Sequence, residues 1–279
     1  LLFRAASQTL LTLAADPKRL GAQPGITAIL HTWGQNLLFH PHLHCVVTGG
    51  GLSPDGQHRL SARQGYLLPV KVLAKLFRGK FLSGLQQAYD RGELNLTRSD
   101  ASLAQPQAFR KLLTALYGRD WIVYAKPPFG GAEQVYRYLG RYTHRVAISN
   151  ARLLSQRDGL IQFRYKDYAD ASQTKVMTLT AEEFIRRFLL HVLPKGFVRI
   201  RHYGLLASRN VATRLADCRR LLVGEDPPAT EEPEKTMVER ILQWFGLDVV
   251  HCPHCGATLQ RRPLPHHAAQ PPAVNFLGN

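Results

Sequence analysis

The chain has 279 residues, 45% of them apolar, enough for a sizeable core and about two domains at roughly 150 residues each, which excludes wholesale disorder. No run approaches the ~18 consecutive apolar residues of a membrane span, and residues 1–15, apolar but interrupted by Arg4, lack the basic start and cleavage site of a secretory signal. Thirty-six Lys and Arg against 20 Asp and Glu leave +16 at pH 7; residues 224–279 hold seven acids and four bases, so residues 1–223 carry +19. A body that basic repels itself, and a polyanion relieves the repulsion, so nucleic acid is the expected partner.

Leu1–Ala15 reads as an amphipathic helix ended by Pro17 and the Gly21–Gly25 turn. The chain opens without Met inside this pattern, as expected of a sequence whose natural beginning lies upstream. Ile26–Trp33 and His42–Thr48 read as strands, the second opened by Pro41 and closed by Gly49, Gly50 and Gly51. Helices are expected over Pro69–Tyr89 and Pro106–Tyr117, a short strand over Trp121–Ala125, and a helix from Ala132 to Thr143 after the Pro127–Gly131 break. Strands follow at Val146–Leu153, Ile161–Tyr165 and Lys175–Leu179, with Asp167 and Asp170 as turn formers. Thr180 and Glu183 form a capping box that starts a helix running to Leu193, and a last helix covers Ala207–Leu222.

This order, without strict strand–helix alternation, predicts an α+β fold with a central, mostly antiparallel sheet flanked by helices, and a small C-terminal Cys/His tail. Residues 1–222 form the main domain, and 223–236 an acidic, Pro-rich linker. Residues 237–260 hold a short helix and a Cys-x-x-Cys pair, and 261–279 are expected to be disordered. Four cysteines make no disulfide framework, in keeping with a reducing, cytoplasmic setting.

Two segments carry chemistry. In Phe39-His-Pro-His-Leu-His-Cys-Val-Val-Thr48, strand alternation puts His42 and His44 on one face and Leu43, Cys45 and Val47 on the other, toward a core. Two neutral imidazoles one pleat apart can converge on a divalent ion. Two ligands are too few for a stable site; the nearby donors are Gln35 and His40, and the sequence does not choose between them. On the helix Ala132–Thr143, Tyr138 and Tyr142 lie one turn apart on one face, about 40° from each other. Arg137, Arg141 and Arg145 repeat the same spacing one residue earlier or later. A tyrosine oxygen can attack a phosphodiester and hold the broken end covalently, arginines neutralise the phosphate, and a divalent ion polarises it. Alone, each pattern also fits a bland reading: partly exposed histidines, or an amphipathic helix with solvated arginines.

Together, in this order and on this charge, the two patterns resemble the HUH endonuclease superfamily, and more closely its two-tyrosine rolling-circle insertion-sequence transposases, the IS91-like family. Phe39–Leu52 is similar to that family's metal motif and Tyr138–Asn150 to its tyrosine motif. Phe184–Phe188 with Leu193–Gly204 is similar to its downstream signature, so the resemblance covers roughly residues 1–222. It implies an HUH-type sheet with helices packed on it, and His42 and His44 as ligands of Mg²⁺ or Mn²⁺. It also implies Tyr138 and Tyr142 as nucleophiles that form a 5′-phosphotyrosine link and free a 3′-hydroxyl. The implied partner is single-stranded DNA at transposon ends and target, in the bacterial nucleoid, with no membrane role. Family members carry a Cys-rich zinc module ahead of this domain; the chain shows none, as expected of a fragment or a decayed copy. A relaxase normally has its tyrosine before the histidines, whereas a replication initiator shares the order seen here. A zinc hydrolase built on His42 and His44 would leave the charge and the tyrosines unexplained.

Two lesser features remain. Lys195, Arg199 and Arg201, interleaved with Phe197 and Tyr203, suit a single-strand groove with base stacking. Cys252 and Cys255 are half of a structural zinc site, which His266 and His267 or a second chain could complete.

Overall fold

The computed structural model describes residues 1–63, 67–129, 131–143, 147–223, 236, 238–239, 242–243 and 248–260. The chain divides into two units, Leu1–Ala229 and Thr230–Asn279. The expected linker, most of the helix after it and the C-terminal tail lie outside the described residues.

The first unit is mixed α/β, with antiparallel sheets flanked by helices. A helix, α1 (Leu2–Ala15), precedes strands β1 (Gln23–Trp33), β2 (Phe39–Leu52) and β3 (Arg59–Ser61). Helices α2 (Val70–Asp90), α3 (Pro106–Tyr117) and α4 (Ala132–Thr143) follow. Then come β4 (Leu153–Arg157), β5 (Leu160–Asp167), β6 (Gln173–Thr180), α5 (Ala181–Leu189), β7 (Ile200–Gly204) and α6 (Arg214–Val223). One sheet has the order β3-β2-β1-β7 and the other β4-β5-β6. Every pairing is antiparallel.

β1 is the buried centre of the larger sheet, with each residue from Pro24 to Thr32 buried. Its even-numbered side chains turn to α1: Phe3 packs with Ala28 and Leu30, and Leu43, Cys45 and Tyr203 close around them. Burial of Cys45 pushes its thiol up to about 11, so this cysteine is a core residue and not a thiolate. Two register shifts shape the β1–β2 pair. At one end Thr32 faces two residues of β2, because His31 pairs with His42 and Trp33 with Phe39. The extra residue falls at His40–Pro41, a bulge that accommodates a proline inside a strand. At the other end the triple glycine continues β2 and does not close it: a Cβ on Gly51 would sit 2.3 Å from the Gln23 carbonyl oxygen.

β7, which the sequence presented only as a basic run, is the strand that completes this sheet beside β1. It ends at Gly204, where φ is +62° and a Cβ would lie 1.9 Å from the Pro24 oxygen, so only glycine lets the two backbones meet.

The smaller sheet holds the tip of the β1–β2 hairpin. Leu37, Ala147 and Phe163 are buried together, with Trp33, Ile148, Tyr165, Met177, Leu179, Phe184 and Phe188 packed around them. Arg152 donates to the Gln35 carbonyl and Arg187 to that of Asn36, at 3.1 Å for the latter. His191 is buried between Thr32 Oγ1 (3.2 Å) and the Leu37 oxygen (3.0 Å). The same core fixes the exit of α4, because Ala147 and Ile148 follow it closely in sequence.

Four expected elements differ. Trp121–Ala125 is not a strand: Trp121 packs on Phe77 and Phe81 and its indole N–H donates to the Leu116 carbonyl, while Ile122 and Tyr124 stand 93% and 79% exposed. Val146 lies outside the described residues, and 147–152 is irregular; Ala147 takes φ 57° and a short 3₁₀ turn (Asn150–Arg152) follows, so the strand begins only at Leu153. The helix from Ala181, whose Glu183 N–H meets Thr180 Oγ1 at 3.2 Å as the capping box requires, ends at Leu189, short of the buried turn at His191. The last helix starts at Arg214, after a 3₁₀ turn at Ser208–Asn210.

Candidate metal centre and nucleophile

The odd-numbered face of β1 is the side away from α1. Register puts Ile29 opposite His44 and His31 opposite His42, so three histidines of two strands share this face. Ring nitrogens of His31, His42 and His44 all lie within 4.8 Å of one another. His31 is buried and stacked on Trp33, with centroids 4.5 Å apart and planes 15° off parallel. His42 and His44 are half-buried, and their Nε2 atoms are 3.1 Å apart. His42 Nδ1 donates to the His40 carbonyl at 2.8 Å, which leaves the Nε2 lone pair for the cluster and fixes the ring.

The electrostatics keep these rings neutral at pH 7. Burial lowers the His42 pKa, reinforced by neighbouring His40 and opposed by the backbone bond. His44 is lowered to about 4, chiefly by burial and then by the charges of His42 and Lys126. Neutral imidazole is the form that ligates a metal, so the donor set fits a divalent ion without waiting for a proton to leave.

Tyr138 reaches this cluster from α4: its Oη lies 2.7 Å from His44 Nδ1. Phe129 supports the tyrosine ring at 5.3 Å. The side chains of Tyr142 and Arg141 and all of Arg145 lie outside the described residues. Arg137 is exposed and paired with Glu133 at 2.7 Å.

The third nitrogen beside His42 and His44 therefore comes from His31. His40 is exposed on the bulge, with its ring 5.2 Å from that of His42. Gln35 sits at the hairpin tip, where its Nε2 is 3.5 Å from Tyr168 Oη. The signal for His31 was present: pairing the two expected strands across their turn brings it level with His42.

The basic run does not gather at this face. Arg201 lies over Phe3 at 4.6 Å, and Tyr203 packs beside it in the α1 core. Lys195 and Arg199 belong to the segment leading into β7, where the Arg199 carbonyl accepts from Leu30 N–H at 3.0 Å. From β7 the face receives His202, bonded to Thr27 Oγ1 at 3.0 Å.

In the second unit, Cys252 N–H donates to the Ala257 carbonyl and Gly256 N–H to that of Cys252, closing a tight turn. Backbone N–H groups of His254 and Cys255 lower the Cys252 thiol pKa, with the Cys255 side chain adding to the effect. Among the described residues no third ligand joins these two cysteines.

Comparison with known proteins agrees with this geometry. The Y2_Tnp family, described as "Putative transposase", matches residues 25–213. "Putative transposase y4qJ" of Sinorhizobium fredii (strain NBRC 101917 / NGR234) is 53% identical over 257 residues, 91% of this chain and 64% of its own length. "Transposase for insertion sequence element IS801" of Pseudomonas savastanoi pv. phaseolicola is 29% identical over 265 residues, 92% of this chain and 60% of its own length. The chain thus spans under two thirds of either relative. No solved structure matches it.

Proposed function

The chain belongs to the Y2_Tnp transposase family, and from that premise we propose that it cuts and rejoins single-stranded DNA through 5′-phosphotyrosine intermediates in rolling-circle transposition of an insertion sequence. The observation that carries this reading is the 2.7 Å contact between Tyr138 Oη and His44 Nδ1, two residues 94 positions apart in the chain.

The Tyr138 oxygen attacks phosphorus; the bond to O3′ breaks and leaves a 3′-hydroxyl, while the 5′ side stays on the tyrosine. One phosphoester replaces another, so no nucleotide hydrolysis is needed. His31, His42 and His44 would hold Mg²⁺ or Mn²⁺. When bound, the ion supplies positive charge to the scissile phosphate. With Nε2 of His44 turned to the cluster, its ring proton sits on Nδ1 and donates to the tyrosine oxygen, which favours the phenolate. Tyr142, one helical turn on, is the second nucleophile, able to take a second strand at the same centre. Arg137, Arg141 and Arg145 border the tyrosines on the helix motif and supply positive charge for the DNA backbone.

Cys252 and Cys255 form half of a structural zinc site in the second unit, tested by zinc content of the purified chain before and after Cys252→Ser. Among the described residues no helix is long and apolar enough to cross a membrane. Action on DNA places the protein in the bacterial cytoplasm.

The test is a covalent adduct. A random-sequence single-stranded oligonucleotide pool, labelled at its 3′ end, is incubated with protein and Mn²⁺ or a chelator and run on a denaturing gel. A metal-dependent shifted band that Tyr138→Phe weakens and the Tyr138→Phe/Tyr142→Phe pair abolishes is expected. DNA binding with no adduct under any divalent ion would overturn the enzyme reading and leave a DNA-binding remnant.

A further inference from the structure

Residues 121–129 cross from the helical layer to the tyrosine without forming a strand, and both ends are anchored. Trp121 sits against Phe77 and Phe81, and Val123 packs on the Leu13, Leu68 and Leu73 cluster. At the other end the Phe129 ring lies against Tyr138. Between them runs Lys126-Pro127-Pro128. Each proline fixes its own φ and holds the residue before it extended, so Lys126 is joined to Phe129 by a stiff spacer.

Lys126 is exposed, and among the described residues it has no carboxylate partner. Its charge is felt at His44, where it adds to the depression of that pKa. A lysine that destabilises a neighbouring cation and neutralises no anion in the protein is a net cost to the folded chain. An anion placed between Lys126 and the histidines would reverse the sign of that interaction. In the reaction the negative charge arrives on the phosphate and grows on its non-bridging oxygens as Tyr138 attacks.

Resting on the phosphotyrosine reading, we propose that Lys126 is a phosphate-binding catalytic residue of this site, its ammonium contacting a non-bridging oxygen of the phosphodiester that Tyr138 attacks. The residue stands outside both sequence motifs, twelve positions before Tyr138. Its aim is set by the Trp121 and Phe129 anchors, so the segment that failed as a strand has a positioning task.

The experiment compares wild type, Lys126→Gln and Lys126→Arg in the adduct assay with the same oligonucleotide pool at saturating concentration, together with the salt dependence of binding. Lys126→Gln is expected to slow adduct formation about 100-fold at saturation, in the range found when one transition-state donor is removed. It should also flatten the slope of log K against log salt by about 0.7, one single-strand phosphate contact. Lys126→Arg should recover most of the rate, because it keeps the charge. An exposed side chain is replaced, so unchanged thermal unfolding of the variants is expected and is checked in parallel. Wild-type adduct with an equal rate in Lys126→Gln would overturn the assignment and leave the phosphotyrosine reading standing, as would a rate loss that saturating DNA restores. A wild type that forms no adduct would overturn both.

Discussion

The histidine sheet and the tyrosine helix are built in opposite ways. β1 is buried from Pro24 to Thr32, paired on both sides and packed on α1. In α4, by contrast, no residue from 132 to 140 is buried; the helix meets the rest of the unit through Tyr138 and through Ala147 and Ile148 beyond its end. The donor set is thus made by the fold itself, while the attacking group is laid on it by a few contacts. Elements with few buried contacts have the lowest local stability. A site that must present one tyrosine and then another gains from having the movable part carry the nucleophiles and the fixed part carry the ligands.

Substitutions can break or sharpen this contrast. The largest effect is expected for Phe163→Ala, which empties the core that clamps the hairpin tip and the exit of α4 together: a loss of about 3–5 kcal/mol, read by urea unfolding. A loss under about 1 kcal/mol would mean the tip is not held as described. Gly204→Ala should cost about 1–3 kcal/mol, since the new Cβ must displace the Pro24 carbonyl at a left-handed φ. Tyr138→Phe should leave stability within about 1 kcal/mol of wild type while removing its share of adduct, because only one hydroxyl bond is lost. Unfolding of that variant in mild denaturant would show that the helix contributes to the sheet.

A pH series probes the fixed side. His44 has a folded pKa near 4, below its ordinary 6.5, so between those values the unfolded chain binds the proton first and stability falls as pH falls. Above pH 6.5 the ring is neutral in both states and the effect vanishes. Chelator-treated protein should therefore lose unfolding midpoint between pH 6.5 and 4, and His44→Asn should flatten part of that slope. An unchanged slope in the variant would show that His44 is not desolvated by the cluster.

Much of this fold was legible because local signals and burial agreed. The Thr180–Glu183 box starts α5, Pro106 starts α3, and the apolar side of β2 at Leu43 and Cys45 meets α1. Legibility failed where a neighbour decided the outcome. Ile200–Gly204 alternates too many polar residues to announce a strand, and β1 makes it one. Trp121–Ala125 has strand-like residues but no strand beside it. His31 stayed hidden because its role depends on register across the hairpin, which no single segment contains. For the nucleophile, the spacing of Tyr138 and Tyr142 placed them on one helix, but which histidine Tyr138 meets is a fact of packing.

The bulge at His40–Pro41 carries a last consequence, for how this chain can change length. Side chains alternate along β2, so inserting a single residue between His42 and Val47 would turn His44 toward α1 and present Leu43's neighbours to the DNA side. Two inserted residues would restore the faces. The hairpin already holds one odd residue, parked opposite Thr32 where the proline tolerates it. Insertions and deletions in this arm are therefore judged by parity: even changes shift the histidines along the sheet, odd ones turn them out of the site unless a second bulge absorbs the remainder.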